Sequence, residues 1–178
     1  INTPVLVHVL TKKGKNSNQA EEDSVKYYSL SGSKKKSVKI VSYSNVFGEI
    51  VTDSASKNSN FLCITAAMEI GTGLSGFKLK YPNRFIDVGI AEGHAVTYAS
   101  GVAASGIIPV IVLYSTFSQR AYDNFVHDFL LQDLPFILCL DRSGLVGEDG
   151  PTHHGILDIC MFISMPKIII AAPKDGDE

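Results

Sequence analysis

Two neighbouring apolar segments of the sequence are followed by side chains that could do chemistry. Glu92 follows the first segment, among small apolar residues that favour its protonated form, so it could share a proton with a ligand nitrogen. An acid in the first turn of a helix is also explained by the helix dipole alone. The second segment ends at Tyr114, and Phe117 and Arg120 follow. They offer a ring for stacking on a flat heterocycle, and a phenol and guanidinium suited to an anion.

A third apolar segment leads into a glycine-rich loop over residues 141–155, with the sequence DRSGLVGEDGPTHHG. Its glycines indicate backbone that takes positive φ angles or lies close to a ligand. Arg142, Asp149 and His153 are interleaved with them, and Pro151 suits a helix start whose amides favour anions. Three such junctions in succession indicate an enzyme site. The chain has no P-loop, no dinucleotide glycine motif and no His/Cys spacing typical of a metal site.

Strands and helices that alternate along the chain must position these residues. Apolar, β-branched runs predict strands at residues 5–10, 61–65, 84–88, 107–114, 136–140 and 167–171. Helices are predicted at residues 43–56, 74–79, 92–105 and 116–131, and after Pro151. Thr116 and Gln119 fit a capping box for the fourth of these. The alternation predicts an α/β fold, with a mostly parallel twisted sheet and helices on both faces. Ligands of such sheets bind at the carboxyl ends of the strands.

The predicted domain organisation has three parts. Residues 1–11 are interpreted as the final strand of a preceding domain, residues 12–37 as a polar linker, and residues 38–178 as the main domain. We expect the chain to be a fragment of a longer polypeptide, because it lacks an initiator Met and stops just after an apolar run.

Composition excludes several classes of function. A formal net charge of −2 argues against a nucleic-acid surface, and the Lys34–Lys36 run is interpreted as a solvated linker. No apolar run reaches the roughly 18 residues of a membrane span, and the first residues do not resemble a signal peptide. Cys63, Cys139 and Cys160 form no CxxC pair, so they are predicted to be reduced core residues of an intracellular protein.

Three sequence segments, in this order and with this spacing, indicate a family: DVGIAEGHA, YSTFSQRAYDNFVHD and DRSGLVGEDGPTHHG. Together with TAAMEIGTGL at residues 65–74 and HVLTKKGK near the start, they resemble the central domain of the 1-deoxy-D-xylulose-5-phosphate synthase family. The resemblance covers nearly the whole chain apart from residues 16–37. It implies the pyrimidine-binding domain of a transketolase-type enzyme that depends on thiamine diphosphate.

The resemblance also implies residue roles. Glu92 matches the glutamate that bonds N1′ of the aminopyrimidine, and His8 matches a histidine near the reactive carbon; His153 is expected to share in catalysis. Phe117 matches the ring stacked on the pyrimidine, and Met68 is expected to contact the cofactor. The residues that match substrate-binding positions are Tyr114, Arg120, Arg142, Asp149 and His153.

The implied reaction joins pyruvate to D-glyceraldehyde 3-phosphate with loss of carbon dioxide, giving a precursor of isoprenoids, thiamine and pyridoxal. In the family, an amino-terminal domain binds the diphosphate and Mg²⁺, and this chain holds only that domain's last strand. The resemblance therefore implies a homodimer that includes further domains, and a chain that is inactive alone. The compartment is expected to be the cytoplasm of a bacterium, or a plastid or apicoplast-type organelle of a eukaryote.

Two departures from the family pattern and two other functions stay open. Gly93 stands where a larger, often polar residue is expected, which could loosen the surroundings of Glu92. His154 follows His153, so either imidazole could be the functional one. The alternatives are another transketolase-like enzyme that uses a ketose donor, and a non-catalytic assembly domain with the same fold.

Overall fold

The structure is a computed structural model, and it describes residues 3–24, 27, 41–147 and 149–178. It divides into two compact units, Ile1–Ile40 and Val41–Glu178. Most of the predicted linker, with its lysine run, lies outside the described residues. Within the described part of the chain, no helix combines the length and apolar character needed to cross a bilayer.

The first unit has little regular structure among its described residues. Part of the predicted linker forms a short helix, α1 (Asn18–Glu22), and an ion pair joins Lys12 to Glu21 of that helix. Residues 5–10 are described but form no strand here, and their apolar side chains are exposed. Because the prediction assigns this strand to the sheet of a preceding domain, it stays a prediction. An apolar run becomes a strand only when another strand takes up its backbone hydrogen bonds.

The second unit is built on a parallel sheet. Its described residues form four strands, β1 (Phe61–Thr65), β2 (Phe85–Asp87), β3 (Ile108–Tyr114) and β4 (Ile137–Asp141). The strand order is β2-β1-β3-β4, and every neighbouring pair is parallel. The β-branched run of β3 is buried on both faces, as the central strand of such a sheet requires. The predicted α/β class is confirmed.

Helices pack on both faces of the sheet. They are α2 (Tyr43–Lys57), α3 (Ser75–Lys80), α4 (Glu92–Ala104), α5 (Ser115–Ser118), α6 (Tyr122–Asn124) and α7 (Asp158–Ile163). Successive residues of β3 point to opposite faces. Ile111 and Leu113 therefore pack in the core that contains α4 and the chain after β3, while Val110 and Val112 pack in the core that contains α2 and α3.

The helix predicted at residues 116–131 is present but segmented. It starts at Ser115 and passes from α5 through a 3₁₀ turn and α6 to a π-helical stretch, Phe125–Leu130. The capping box predicted at Thr116 is wrong, because Tyr114 occupies the cap position and makes no side-chain cap bond. A capping box is found instead at the start of α2, where the Ser42 hydroxyl accepts from the main-chain N–H of Asn45.

The strand predicted at residues 167–171 is wrong. Residues 167–171 are described, but they pair with no strand, and Ile169 is 94% exposed. Two cysteines lie within the sheet, where burial raises the pKa of Cys63 to about 12 and that of Cys139 to about 11. Cys160 is exposed on α7, so the prediction that all three are core residues holds only in part.

Candidate active site

The carboxyl ends of the four strands lie along one edge of the sheet. The register pairs Thr65 of β1 with Asp87 of β2, and Tyr114 of β3 with Asp141 of β4. We call this edge the sheet rim. Because all four strands are parallel, the chain leaves each of them on the same side, and the residues predicted to do chemistry follow β2, β3 and β4.

Glu92 is the first residue of α4 and is only 4% exposed. One of its carboxylate oxygens, Oε1, accepts a hydrogen bond from Arg120 Nη1 over 3.2 Å. The Arg120 side chain remains 59% exposed, so solvent screens the pair and little stability follows from it. A buried carboxyl group with one outward-facing partner is suited to exchanging that partner for a ligand nitrogen.

Phe117 connects the residues of the rim. The Arg120 guanidinium carbon lies 4.9 Å from the centre of its ring, within the range of a cation–π contact. The Tyr114 ring stacks beside it at 5.8 Å, with an angle of 27° between the planes. The His153 ring meets it edge-on at 5.4 Å and 69°. Residues from two βα junctions thus converge on one aromatic ring.

The glycine-rich loop places a second guanidinium at the rim. Arg142 has a φ of 59°, a left-handed conformation that is uncommon for a residue with a side chain. Its guanidinium carbon lies 4.0 Å from the centre of the Tyr114 ring, and it forms an ion pair with Asp149. Burial raises the pKa of the Tyr114 phenol, so this hydroxyl is a neutral donor near pH 7.

The two adjacent histidines have different surroundings. Nδ1 of His154 accepts a hydrogen bond from the main-chain N–H of Val146 over 3.0 Å, which commits it to holding the loop. His153 shares a hydrogen bond with the Thr152 hydroxyl at 2.9 Å and contacts Phe117. Of the two imidazoles, the one that faces the aromatic cluster of the rim is therefore that of His153.

Gly93 leaves space that Asn124 partly fills. A Cβ atom built on Gly93 would lie 3.0 Å from Asn124 Oδ1, a tight contact with the end of a flexible side chain. Nδ2 of Asn124 in turn donates to the Thr97 hydroxyl over 2.9 Å. The space beside Gly93 is thus partly filled by a polar residue of α6.

Met68 and His8 occupy different settings. Met68 is buried, and its sulfur accepts from the main-chain N–H of Tyr114 over 3.2 Å, so it contacts the rim from the core side. His8 lies in the first unit, on the exposed run that forms no strand. Its predicted place near the reactive carbon stays a prediction.

Sequence reasoning missed three acids that hold the rim. Oδ1 of Asp87 accepts from the main-chain N–H groups of Ala67 (2.8 Å) and Gly89 (2.9 Å), which ties the ends of β1 and β2 together. Asp141 accepts from the Ser44 hydroxyl over 2.7 Å. Asp158 is buried in α7 and has two serine partners. For Asp87 and Asp141 the available signal was their place at the carboxyl ends of predicted strands.

A metal site is not evident in the described part of the chain, where no three His, Cys, Asp or Glu side chains are grouped to hold an ion. The rim instead offers a buried carboxyl group, an aromatic face and two guanidinium groups. This arrangement can share a proton with a heterocycle and bind an anion, which are the two chemistries predicted from the residue types.

Comparisons with known proteins agree with this geometry. The chain matches the family model of the transketolase pyrimidine-binding domain over residues 39–178. Relatives named 1-deoxy-D-xylulose-5-phosphate synthase, from Thermomicrobium roseum and Natranaerobius thermophilus, are 49% and 48% identical to it. Each alignment covers 99% of this chain, which spans 28% and 29% of their respective lengths.

A solved transketolase from Campylobacter jejuni has the same fold. It superposes with a TM-score of 0.70 at 23% identity, covering 81% of this chain and 23% of that one. At this identity the likeness concerns the fold alone. The family match extends over most of the chain, and it includes the four described strands and the sheet rim. The chain therefore belongs to the transketolase pyrimidine-binding domain family.

Proposed function

We propose that this chain forms the pyrimidine-binding part of a thiamine-diphosphate-dependent transferase. The complete enzyme joins pyruvate to D-glyceraldehyde 3-phosphate and releases carbon dioxide, giving 1-deoxy-D-xylulose 5-phosphate. The observation that carries the proposal is the buried carboxyl group of Glu92, linked through Arg120 to the ring of Phe117. The names of the relatives, which match along almost the whole chain, support the choice of reaction.

The residues present fit the pyrimidine end of the cofactor. When bound, thiamine diphosphate supplies an electron sink for the bond that is broken next to a carbonyl group. Glu92 is suited to hold a proton at a ring nitrogen, because its side chain is excluded from water and its side-chain partner among the described residues, Arg120, is largely exposed. Phe117 offers a half-buried aromatic face, and Met68 supports the neighbouring strand end.

The diphosphate end needs a different set of ligands. Mg²⁺ binds mainly carboxylate and carbonyl oxygens together with phosphate. Since the described residues contain no acidic cluster of that kind, we infer that another part of the enzyme binds the metal. On this proposal the chain alone does not turn over substrate. A homodimer, and a location in a bacterial cytoplasm or in a plastid or apicoplast-type organelle, stay predictions.

The glycine-rich loop is proposed to bind the phosphorylated aldehyde. Arg142 presents a planar group of five N–H donors, and its partner Asp149 sits on the exposed side of the loop. Such a pair can open to accept a phosphate, since a guanidinium binds phosphate in the same forked geometry as a carboxylate. Tyr114 and His153 flank the site as hydrogen-bonding groups.

Substitution of Glu92 in the complete enzyme tests the proposal. Glu92→Gln keeps the size of the side chain but cannot share a proton, so we expect kcat to fall at least ~100-fold. Glu49→Gln is the matched control, because Glu49 is an exposed acid on α2. The assay measures carbon dioxide released from pyruvate in the presence of D-glyceraldehyde 3-phosphate.

Each outcome separates the candidate functions. Near wild-type turnover by Glu92→Gln contradicts the role of Glu92. Transfer from a ketose donor without carbon dioxide release identifies the other transketolase-like activity. A complete wild-type protein that acts on neither donor is a non-catalytic assembly protein.

A further inference from the structure

A buried acid outside the proposed chemistry joins two of the βα junctions. Asp158 is the first residue of α7 and is 8% exposed. Its Oδ2 accepts hydrogen bonds from Ser115 Oγ over 2.9 Å and from Ser143 Oγ over 2.6 Å. We call these three residues the Asp158 clasp. The second oxygen, Oδ1, accepts the main-chain N–H of Ile159.

The two serines are chain neighbours of residues at the rim. Ser115 directly follows Tyr114 at the end of β3, and Ser143 directly follows Arg142 at the end of β4. A hydrogen bond to each serine therefore fixes the backbone that carries one rim side chain. Fixing both serines to the same carboxylate oxygen also sets the spacing between the two junctions.

The glycine-rich loop closes beside the clasp. Gly144 and Gly155 exchange main-chain hydrogen bonds of 2.9 and 2.8 Å, which brings the two ends of the loop together. A Cβ atom on Gly155 would lie 2.4 Å from Ser115 Oγ and 2.5 Å from the carbonyl oxygen of Arg142, so a side chain here would disrupt the closure. His153 lies two residues before Gly155 and is held by the same closure.

Packing alone does not explain why an acid is buried at position 158. Taking a carboxylate out of water is unfavourable unless hydrogen bonds compensate for the lost hydration, and an apolar residue would fill the same space without that penalty. Neutral hydroxyl and amide donors surround this carboxylate. The acid is explained by its ability to hold two hydroxyl groups at once, which an apolar side chain cannot do.

We propose that Asp158 is a positioning residue that fixes Arg142 and His153 for the phosphorylated aldehyde. In this role it acts through Ser143 and the closure of the loop, and not by direct contact with substrate or cofactor. The identity of the substrate rests on the proposed function, while the positioning of the loop does not. We expect the affinity for pyruvate and for the cofactor to change little, because Ser115 directly follows the central strand β3 and its backbone is also held by that strand.

Asp158→Asn in the complete enzyme is the first test. The amide has one acceptor oxygen and no charge, so the bonds to the two serines weaken. We expect the KM for D-glyceraldehyde 3-phosphate to rise about tenfold, the change that corresponds to roughly 1.4 kcal/mol. The KM for pyruvate should stay within about twofold of the wild-type value, and so should the Kd of thiamine diphosphate, measured by titration of the apoenzyme. Asp123→Asn, an exposed acid on α6, is the matched control.

Ser143→Ala is the second variant, because it removes one hydroxyl and leaves the acid in place. It tests the clasp even when Asp158→Asn fails to fold. The KM for the aldehyde should rise in Ser143→Ala as well. In the double variant, the fold-increase in this KM should be smaller than the product of the fold-increases in the two single variants. Multiplicative effects would show that Asp158 and Ser143 act separately, which overturns the proposal.

Hydrogen exchange gives a readout that does not require turnover. Asp158→Asn should speed exchange of the amides of Gly144 and Gly155 and leave those of β1 unchanged. Unchanged loop exchange, or an equal rise in both KM values, overturns the positioning role. A wild-type enzyme that does not use pyruvate with the aldehyde refutes the proposed function instead, and exchange in the loop then decides about the clasp alone.

Discussion

Replacing Gly71 by Ala would place a methyl group against the Tyr114 side chain at the sheet rim. A Cβ atom on Gly71 would lie 1.6 Å from the Tyr114 hydroxyl oxygen and 2.8 Å from the ring carbon that bears it. Ordinary van der Waals contact begins near 3.4 Å, so the hydroxyl must retreat by about 1.8 Å. The φ of Gly71 is not positive, which means that the alanine backbone itself is not strained.

The loss of stability expected for Gly71→Ala can be estimated from the contacts of Tyr114. Overpacking a well-filled site lowers the free energy of unfolding by about 1–3 kcal/mol. The ring also loses part of its contact with Arg142, at 4.0 Å, which adds on the order of 0.5–1 kcal/mol. We therefore expect Gly71→Ala to destabilise the chain by about 2 kcal/mol.

Tyr114→Phe isolates the cause, because it removes the closest atom. In that background the nearest remaining ring atom lies 2.8 Å from the new Cβ, so a smaller shift relieves the clash. The cost of Gly71→Ala should fall by about 1 kcal/mol or more, an interaction energy typical of residues in contact. Gly101→Ala is the matched control, since no atom lies within 4 Å of its Cβ and helix α4 should gain up to about 1 kcal/mol.

Urea unfolding followed by circular dichroism measures all five proteins: wild type, the three single variants and the double variant. The midpoint of Gly71→Ala should fall, that of Gly101→Ala should hold or rise, and the double variant should recover part of the loss. Strictly additive free energies, or a Gly71→Ala variant as stable as wild type, would refute the close approach of Gly71 and Tyr114.

Two further predictions concern the cysteines. At pH 8 a soluble alkylating reagent should label one thiol of the native chain quickly and all three in denaturant, and Cys160→Ala should abolish the fast native labelling. Cys160 is exposed and Cys63 is buried, while Cys139 is partly exposed but burial raises its pKa to about 11, which keeps it protonated at pH 8. Labelling of Cys63 at the same rate as Cys160 would contradict its burial. Burial raises the pKa of Cys63 to about 12 from 9.0. The unfolded thiol therefore loses its proton first, and the free energy of unfolding should fall between about pH 9 and 12 by up to ~1.4 kcal/mol per unit, less so in Cys63→Ala. Parallel pH profiles of the two proteins would show that the thiol does not contribute.

The sequence was sufficient for the strands of the sheet but not for every apolar run. The run at Phe61–Thr65 was predicted with its observed ends because it is short, apolar and flanked by polar residues. Residues 5–10 and 167–171 are also rich in apolar and β-branched residues, yet neither forms a strand in this chain. Composition reports the tendency of a segment to extend, whereas pairing depends on a free neighbouring edge elsewhere in the fold.

The location of the site was predictable, while its internal contacts were not. Every βα junction of a parallel sheet leads to the same edge, so Glu92, Phe117 and Arg142 could be assigned to one region from their order alone. The pairing of Glu92 with Arg120 depends on how the segmented helix after β3 turns. Asp158 gave little signal, because an acid at a helix start is explained by the helix dipole.

Arg120 joins the two halves of the proposed chemistry. The resemblance assigns it to the substrate, but its guanidinium bonds the carboxylate of Glu92 and lies over the ring of Phe117. Phe117 in turn contacts Tyr114, which stacks against Arg142. Substitutions along such a continuous set of contacts are not additive. A change in the KM for the aldehyde in Arg120→Ala would therefore not by itself assign Arg120 to the substrate, since the same guanidinium also bonds the carboxylate of Glu92. A double-variant cycle with Glu92→Gln separates the effect on the substrate from the effect on Glu92.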